Sequence, residues 1–140
     1  GQKAQFISIH YMPEAAKEAA EFDIPHWQDA IDDLDEQAAL IKACDLVITV
    51  NQTLVHTSGA LAQKTWVLTP SKPAWRYGLK GRKMAWYPTV TQFRQKKGED
   101  WSGAVGRLSN DLKGFIRSHH ARSDRGARTE LEGSRAGSGN

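Results

Sequence analysis

Short apolar runs alternate along this sequence with segments in which apolar residues recur at helical spacing. The runs rich in β-branched and aromatic side chains are predicted strands, at residues 5–11, 24–27, 45–50, 65–68 and 87–93. The helical stripes are predicted helices, at residues 14–22, 53–62 and 101–119, with a fourth that ends at residue 43. Strands that alternate with helices indicate an α/β fold. We therefore expect a Rossmann-like parallel sheet with helices on both faces.

The best-defined elements are the strand at residues 45–50 and the helix that follows it. The strand reads Asp-Leu-Val-Ile-Thr-Val, is largely β-branched, and closes at the polar pair Asn51-Gln52. The next helix is predicted to begin at Thr53, directly at the end of the strand. A junction of this kind is where open α/β sheets bind ligands.

Three further features complete the predicted architecture. Asp33 or Asp35 can cap the helix that ends at residue 43. Residues 71–85 form a long loop rich in Pro, Gly, Arg and Trp. The strand at residues 87–93 is predicted to lie at an edge of the sheet.

A chain of 140 residues suits one domain with one hydrophobic core, which we expect to occupy residues 1–120. Residues 121–140 contain Gly, Ser, Arg and Glu and almost no apolar side chains. They cannot bury enough surface to order themselves, so we expect a flexible C-terminal tail. Gly1-Gln2-Lys3 stand almost inside the first predicted strand, which leads us to expect a piece of a longer chain.

Composition points to a cytoplasmic protein. No apolar run approaches the roughly 20 residues of a membrane helix, and no basic-then-apolar export signal begins the chain. Cys44 is the single cysteine, stands in an apolar context, and is predicted to be a core thiol. The net charge of +3 comes largely from the last third of the chain and is too small to argue for nucleic acid.

The junction after strand 45–50 is the first candidate site. A helix N-terminus offers N–H groups and a partial positive charge that suit a phosphate. We expect Asn51, Gln52 and Thr53 to form this end, with His56 one turn into the helix as a hydrogen-bond donor. Gly59, three residues on, allows close approach to the sheet or ligand. The alternative is that Asn51 and Thr53 only cap the helix and that His56 is a partly buried, satisfied histidine.

The loop that contains Trp75, Arg76 and Tyr77 is the second candidate site. Side chains of these types can stack on a base or sugar and pair with a phosphate. The alternative is an arginine that lies over a tryptophan and seals a surface loop. Further on, Trp86 and Phe93 are predicted to be core residues.

Other chemistries have weaker support. Arg94 has an apolar neighbour and is interpreted as an ion-pair partner. His119-His120 lies at a predicted helix end, and the acidic run at residues 29–36 matches a helix dipole. Neither is predicted to bind a metal. Gly-x-Gly-x-x-Gly, Walker and Gly-x-Ser-x-Gly motifs are absent from the sequence, and no cofactor is expected.

Several separated motifs occur along the chain in a fixed order. They are His26-Trp27, Asp29-Ala-Ile-Asp-Asp33, Asp35-Glu36, Asp45-Leu-Val-Ile-Thr-Val-Asn-Gln-Thr-Leu-Val-His56, Gly59-Ala-Leu61, Trp66-Val-Leu-Thr-Pro70, Pro73-Ala-Trp-Arg-Tyr-Gly78, Trp86-Tyr-Pro-Thr-Val90 and Phe93-Arg-Gln95. Over residues 5–117 this series resembles the C-terminal domain of tetratricopeptide-repeat glycosyltransferases, bacterial relatives of the lipopolysaccharide heptosyltransferases. Two positions depart from the pattern. Asn51 stands where heptosyltransferases usually have aspartate, and Ala62-Gln63-Lys64 replaces the common Gly-Lys/Arg-Pro turn.

The resemblance implies a GT-B glycosyltransferase, in which two Rossmann-like domains face a cleft and the C-terminal domain holds the nucleotide-sugar donor. By that analogy Thr53 and His56, with the N–H groups of their helix, bind the donor diphosphate. Trp75, Arg76 and Tyr77 border the cleft near the nucleotide or sugar. The acceptor site and any general base lie largely in an N-terminal domain that this chain lacks, and no metal is required.

Two functional hypotheses follow. In the first, the chain is the nucleotide-sugar-binding domain of a GT-B-type glycosyltransferase and is incomplete as an enzyme alone. In the alternative, it is a non-catalytic Rossmann-like module that binds a nucleotide or a protein partner, and a homodimer is one form that this module can take. Nucleic acid is not an expected partner, because acidic residues partly cancel the arginines of the C-terminal segment. A membrane is not expected either, because no apolar run is long enough to span one.

Overall fold

The computed structural model describes residues 4–137. One compact unit comprises residues 6–107, and a second comprises the described residues 4, 5 and 108–137. The strands are β1 (Val47–Val50), β2 (Thr65–Thr69) and β3 (Val90–Arg94). The helices are α1 (Ala15–Glu21), α2 (Gln28–Asp32), α3 (Leu34–Ala43), α4 (Thr53–Ala60) and α5 (Trp101–Ala136), with a 3₁₀ turn at Trp75–Tyr77.

The three strands form one parallel sheet in the order β1-β2-β3. Val50 pairs with Leu68, and Leu68 pairs with Phe93, so all three strands end at the same edge. The α/β class and the parallel sheet are therefore confirmed, and β3 lies at an edge of this sheet as predicted. This common carboxyl edge is where the candidate residues are presented.

Helix α4 packs on one face of the sheet. The residues of the core cluster on this face are Val55, Val67, Tyr77, Met84 and Val90, with Tyr87 packed against them. Strand β1 alternates accordingly, with Val47 and Thr49 buried and Ile48 and Val50 exposed. Burial of each aliphatic side chain contributes roughly 1.5–3 kcal/mol. This apolar contact holds the start of α4 at the carboxyl edge of the sheet.

Helix α3 begins at a side-chain cap. One carboxylate oxygen of Asp33 accepts hydrogen bonds from the N–H groups of Asp35 and Glu36, at 2.9 and 3.0 Å. Of the two caps predicted, the structure therefore uses Asp33. Asp35 and Glu36 also place negative charge in the first turn, where the helix dipole favours it.

An ion pair closes the connection between β3 and α5. Arg107 contacts both carboxylate oxygens of Glu99 at 3.0 Å, and its guanidinium also donates to the carbonyl of Arg94 at 2.7 Å. The N–H of Lys96 donates to the same carboxylate at 2.8 Å. The hydrogen bond from Arg107 is the main cause that lowers the pKa of Glu99 to about 2. A charged Glu99 thus ties the first turns of α5 to the end of β3.

The prediction of strands at residues 5–11 and 24–27 is wrong. A single parallel bridge joins Ser8 to His26, supported by a 2.9 Å hydrogen bond from the N–H of Ser8 to the carbonyl of Pro25. Pro25 has no N–H to extend a ladder, which accounts for the short pairing. The short helix α2 follows immediately and was not predicted.

Helix α5 is longer than predicted and continues past residue 119 to Ala136. Its last part, residues 121–136, is exposed and rich in Arg, Ala and Glu, which favour helix without requiring burial. The flexibility expected of the tail stays a prediction, and Gly1-Gln2-Lys3 and residues 138–140 lie outside the described residues. Within residues 4–137 no helix combines the length and apolar character needed to cross a membrane.

Candidate functional site

The β1–α4 junction places the N-terminus of α4 at the carboxyl edge of the sheet. Asn51 is exposed in a bend, Gln52 holds the N-cap position, and α4 begins at Thr53. The side chain of Gln52 makes no capping hydrogen bond and donates instead to the hydroxyl of Thr49 at 2.9 Å. The N–H of Val55 bonds the carbonyl of Gln52. The N–H groups of Thr53 and Leu54, which precede Val55 in α4, point out of the helix end. The alternative in which Asn51 or Thr53 caps the helix through its side chain is therefore not what the structure shows at this end.

His56 is held by Tyr87. The Nδ1 atom of His56 lies 3.3 Å from the hydroxyl of Tyr87, and the two rings meet edge to face with centroids 5.8 Å apart. The histidine is half-buried one turn into α4. With Nδ1 engaged by the tyrosine, Nε2 is the ring nitrogen available to a ligand.

Gly59 makes the position of Tyr87 sterically accessible. A Cβ atom built on Gly59 would lie 2.3 Å from Cγ of Tyr87 and 2.6 Å from both Cδ atoms. Real Cβ atoms do not approach so closely, so the ring occupies the space that glycine leaves. The predicted role of Gly59 in a close approach therefore has a definite partner, the ring that positions His56.

The second candidate segment divides between surface and core. Trp75 is exposed and Arg76 is half-buried, both on the 3₁₀ turn, whereas the ring of Tyr77 is buried. Burial raises the pKa of the Tyr77 phenol above its usual range. Since Tyr77 and Val55 belong to one core cluster, the turn and α4 are packed together. Contact of these three residues with a ligand stays a prediction.

Two side chains of β3 fasten the loop that carries this turn. Gln92 is fully buried, and its amide donates to the carbonyls of Tyr77 and Lys83 at 2.9 and 3.1 Å. Its Oε1 accepts a 3.1 Å hydrogen bond from the hydroxyl of Thr69. Each polar atom of this amide is therefore matched by a partner, as buried polar groups require.

Arg94 donates hydrogen bonds to carbonyls of the same loop instead of forming the predicted ion pair. Its guanidinium donates to the carbonyl of Gly81 at 2.7 Å, to that of Gly78 at 3.0 Å, and to that of Tyr77. Burial beside these neutral oxygens lowers the pKa of Arg94 from its usual value. Because each of its three guanidinium nitrogens donates to a backbone carbonyl, Arg94 holds the conformation of this loop.

The prediction that Trp86 and Phe93 are core residues is confirmed for Phe93 and wrong for Trp86. Phe93 is buried against Trp66, with ring centroids 5.1 Å apart. Trp86 is 60% exposed and lies next to Trp75, with centroids 5.9 Å apart and planes at 68°. The loop thus presents two indoles to solvent.

Charge is distributed unevenly around this site. No aspartate or glutamate occurs between residues 46 and 98. The same stretch holds nine cationic side chains, at Lys64, Lys72, Arg76, Lys80, Arg82, Lys83, Arg94, Lys96 and Lys97. It includes the whole sheet, α4 and the aromatic loop, so an anionic ligand at the carboxyl edge meets no carboxylate of this segment.

Tyr87 and Gln92 are the residues that sequence reasoning missed. Gly59 within a predicted helix was the signal for a close neighbour, but the sequence does not say which residue fills the space. Gln92 is a polar residue inside the apolar strand that contains Val90 and Phe93, which signals a buried hydrogen-bond network. Its partners are Thr69 at the end of β2 and the carbonyls of Tyr77 and Lys83 on the loop that follows, and none of them is marked in the sequence.

Comparison with known proteins gives one relative at low identity. Protein FlbA of Caulobacter vibrioides is 31% identical over 120 residues, which are 81% of this chain and 20% of FlbA. The chain therefore spans about a fifth of the length of that relative. No family model matches the sequence. No solved structure matches it either.

Proposed function

We propose that this chain is the donor-binding domain of a GT-B-type glycosyltransferase and binds a nucleotide-diphosphate sugar at the carboxyl edge of its sheet. The observation that carries the proposal is the uncapped N-terminus of α4 next to a histidine oriented by Tyr87. The resemblance of the motifs to tetratricopeptide-repeat glycosyltransferases supports the same assignment. In the proposed enzyme a second, N-terminal domain supplies the acceptor site, so this domain alone is incomplete as a catalyst.

The chemistry proposed for this site is charge stabilisation. The leaving group of glycosyl transfer from such a donor is a nucleoside diphosphate, which gains negative charge as the sugar departs. The N–H groups of Thr53 and Leu54 and the Nε2–H of His56 would donate to its phosphate oxygens. Donors fixed before the reaction stabilise developing charge without reorganisation. The cation-rich, carboxylate-free stretch at residues 46–98 favours the same anion.

A calorimetric titration tests this proposal. The chain is titrated with ADP, GDP, CDP, UDP and their sugar conjugates, and the series is repeated on His56→Ala. A hydrogen bond to a charged group contributes about 1.5–3 kcal/mol, so the substitution is expected to weaken binding roughly ten- to 150-fold. His10→Ala is the matched control, because His10 is also partly exposed but lies outside the sheet. Equal affinity of His56→Ala and wild type for every ligand would contradict the proposed site.

A specific observation favours the alternative of a non-catalytic Rossmann-like module that binds a protein partner. Trp75, Leu79 and Trp86 are large apolar residues exposed on one loop. Contiguous exposed apolar surface is typical of interaction sites. Under this proposal the chain binds no nucleotide at millimolar concentration and forms a homodimer. Sedimentation equilibrium of wild type and Leu79→Ser distinguishes the two, since a dimer through this loop would dissociate in the variant.

A further inference from the structure

The loop at residues 71–86, between β2 and β3, exposes three large apolar side chains. Trp75 is 77% exposed, Leu79 is 89% exposed and Trp86 is 60% exposed. The two indoles lie next to each other, with ring centroids 5.9 Å apart and planes at 68°. Large apolar side chains that remain exposed on one segment are typical of an interaction surface.

The backbone of this loop is held in place beneath the exposed side chains. The guanidinium of Arg94 donates to the carbonyls of Gly78 and Gly81, which stand on either side of Leu79-Lys80. Both glycines have positive φ angles, +66° and +85°, which glycine adopts without steric cost. Leu79 and Lys80 therefore lie at the tip of a fixed turn. The exposure of Leu79 is set by the fold, and contact with a partner requires little additional ordering of the loop.

Cations are interleaved with the apolar residues of the loop. Lys72, Lys80 and Lys83 are exposed, and Arg76 is half-buried. No carboxylate occurs between residues 46 and 98 to neutralise them. The stem of a lysine can lie against an apolar surface while its ammonium group stays in water. The loop therefore fits a partner that offers negative charge and an apolar layer at the same place.

The surface of an anionic bilayer has both properties. Tryptophan is enriched at the membrane–water interface because its ring is apolar and its N–H is polar. Lysine and arginine are attracted to anionic headgroups. A bilayer offers these contacts to every side chain of the loop, whereas an acidic protein would need a matching pocket for each apolar side chain.

Such a contact requires no membrane-spanning segment. Interfacial elements bury their apolar side chains only about 5–10 Å into the boundary between headgroups and acyl chains. The finding that residues 4–137 contain no helix able to cross a membrane therefore does not bear on it.

We propose that the loop at residues 71–86 binds the surface of an anionic bilayer. Trp75, Leu79 and Trp86 enter the headgroup region, and the lysines of the loop pair with lipid phosphates. The inference goes beyond the proposed function and does not depend on it, because the contact requires no nucleotide.

Co-sedimentation with sucrose-loaded vesicles tests this inference on the full chain. One set of vesicles is phosphatidylcholine alone, and the other contains phosphatidylcholine and phosphatidylglycerol at about two to one. Soluble polyglutamate serves as a probe for an acidic protein. Unfolding midpoints of all variants are measured by circular dichroism. The loop variants are Leu79→Ser, the double variant Trp75→Ala/Trp86→Ala, and the double variant Lys80→Glu/Lys83→Glu.

Matched controls carry the same changes at exposed residues outside the loop. They are Trp27→Ala/Trp101→Ala and Lys17→Glu/Lys113→Glu. Brominated phosphatidylcholine, with its bromine atoms in the acyl chains, reports insertion by quenching tryptophan fluorescence. The double variant Trp75→Phe/Trp86→Phe keeps two apolar rings and removes the two indoles that should be quenched.

We expect wild type to bind the anionic vesicles and to bind phosphatidylcholine far more weakly. Full burial of a leucine side chain corresponds to about a ten- to 150-fold change in a binding constant, and Leu79→Ser should lose affinity within this range. Each cation near an anionic surface contributes about fivefold, so Lys80→Glu/Lys83→Glu should weaken binding at least about 25-fold. The tryptophan control should bind like wild type, and the lysine control should lose far less affinity than the loop variant. Trp75→Phe/Trp86→Phe should bind with reduced quenching.

Four results would overturn the inference. The first is a wild type that does not sediment with anionic vesicles. The second is an equal loss of affinity in loop variants and controls, or no loss in either, which would assign the contact to overall charge or to another surface. The third is vesicle binding in which Trp75→Phe/Trp86→Phe is quenched as strongly as wild type, since the indoles of the loop would then not be inserted. The fourth is binding to polyglutamate, lost in the loop variants, by a chain that ignores vesicles, which would assign the loop to an acidic protein.

Discussion

Substitution of Gly59 by alanine probes the contact between α4 and Tyr87. Glycine-to-alanine changes in helices normally stabilise by up to about 1 kcal/mol, because alanine is the better helix former. At Gly59 the new Cβ would lie 2.3 Å from Cγ of Tyr87. Rotation about χ2 does not move Cγ, so the whole tyrosine side chain must shift. Insertion of a methyl group into a packed site of this kind costs about 1–3 kcal/mol.

Gly106→Ala in α5 is the matched control, because its Cβ would meet no atom within 4 Å. The two variants gain similar helix propensity, and we expect Gly59→Ala to be less stable than Gly106→Ala by about 1–3 kcal/mol. Urea denaturation followed by circular dichroism measures both free energies of unfolding. The same shift of Tyr87 would release His56, so Gly59→Ala should also weaken nucleotide binding. Unfolding free energies that agree within about 0.5 kcal/mol, the usual scatter of surface substitutions, would refute the steric reasoning.

Two further predictions concern the network behind the site. Gln92→Leu leaves the hydroxyl of Thr69 and the carbonyl of Lys83 without this partner in the core, and should lower the free energy of unfolding by about 1–3 kcal/mol in urea denaturation. An unchanged value would contradict a structural role for the amide. Glu99→Gln tests the pair with Arg107: because the folded-state pKa of Glu99 is lowered to about 2, its stabilisation is present above the unfolded value near 4.5 and is lost as pH falls towards 2. Thermal unfolding should therefore show a lower melting temperature than wild type at pH 7 and convergence of the two at about pH 2, and a constant difference across that range would contradict the ion pair.

The parallel sheet and the helix at the site could be predicted because local sequence determines them. The run before Asn51 is β-branched and ends at polar residues, and these properties favour a strand whatever it packs against. The cap at Asp33 is likewise a local hydrogen bond between near neighbours. For such elements the chain carries its own signal.

The contacts that shape the site could not be predicted because their partners are distant along the chain. Tyr87 fills the space beside Gly59, and nothing in either residue identifies the other. The guanidinium of Arg94 suggests an ion pair, but in the fold its partners are backbone carbonyls of the loop at Gly78 and Gly81. Pro25, which has no N–H for a strand ladder, argued against the strand predicted at residues 24–27, but the apolar pattern was given more weight.

Opposite charges occupy successive stretches of this chain, with consequences for how quickly an anion arrives. Residues 14–45 carry ten carboxylates and two lysines, whereas residues 46–98 carry nine cations and no carboxylate. The net charge of +3 conceals this separation. The basic stretch attracts an approaching anion before contact, and added salt shortens the range of that attraction to about 10 Å at 0.1 M. Ionic strength should therefore act mainly on the association rate constant of a phosphorylated ligand, while its residence time, determined by short-range hydrogen bonds, changes little.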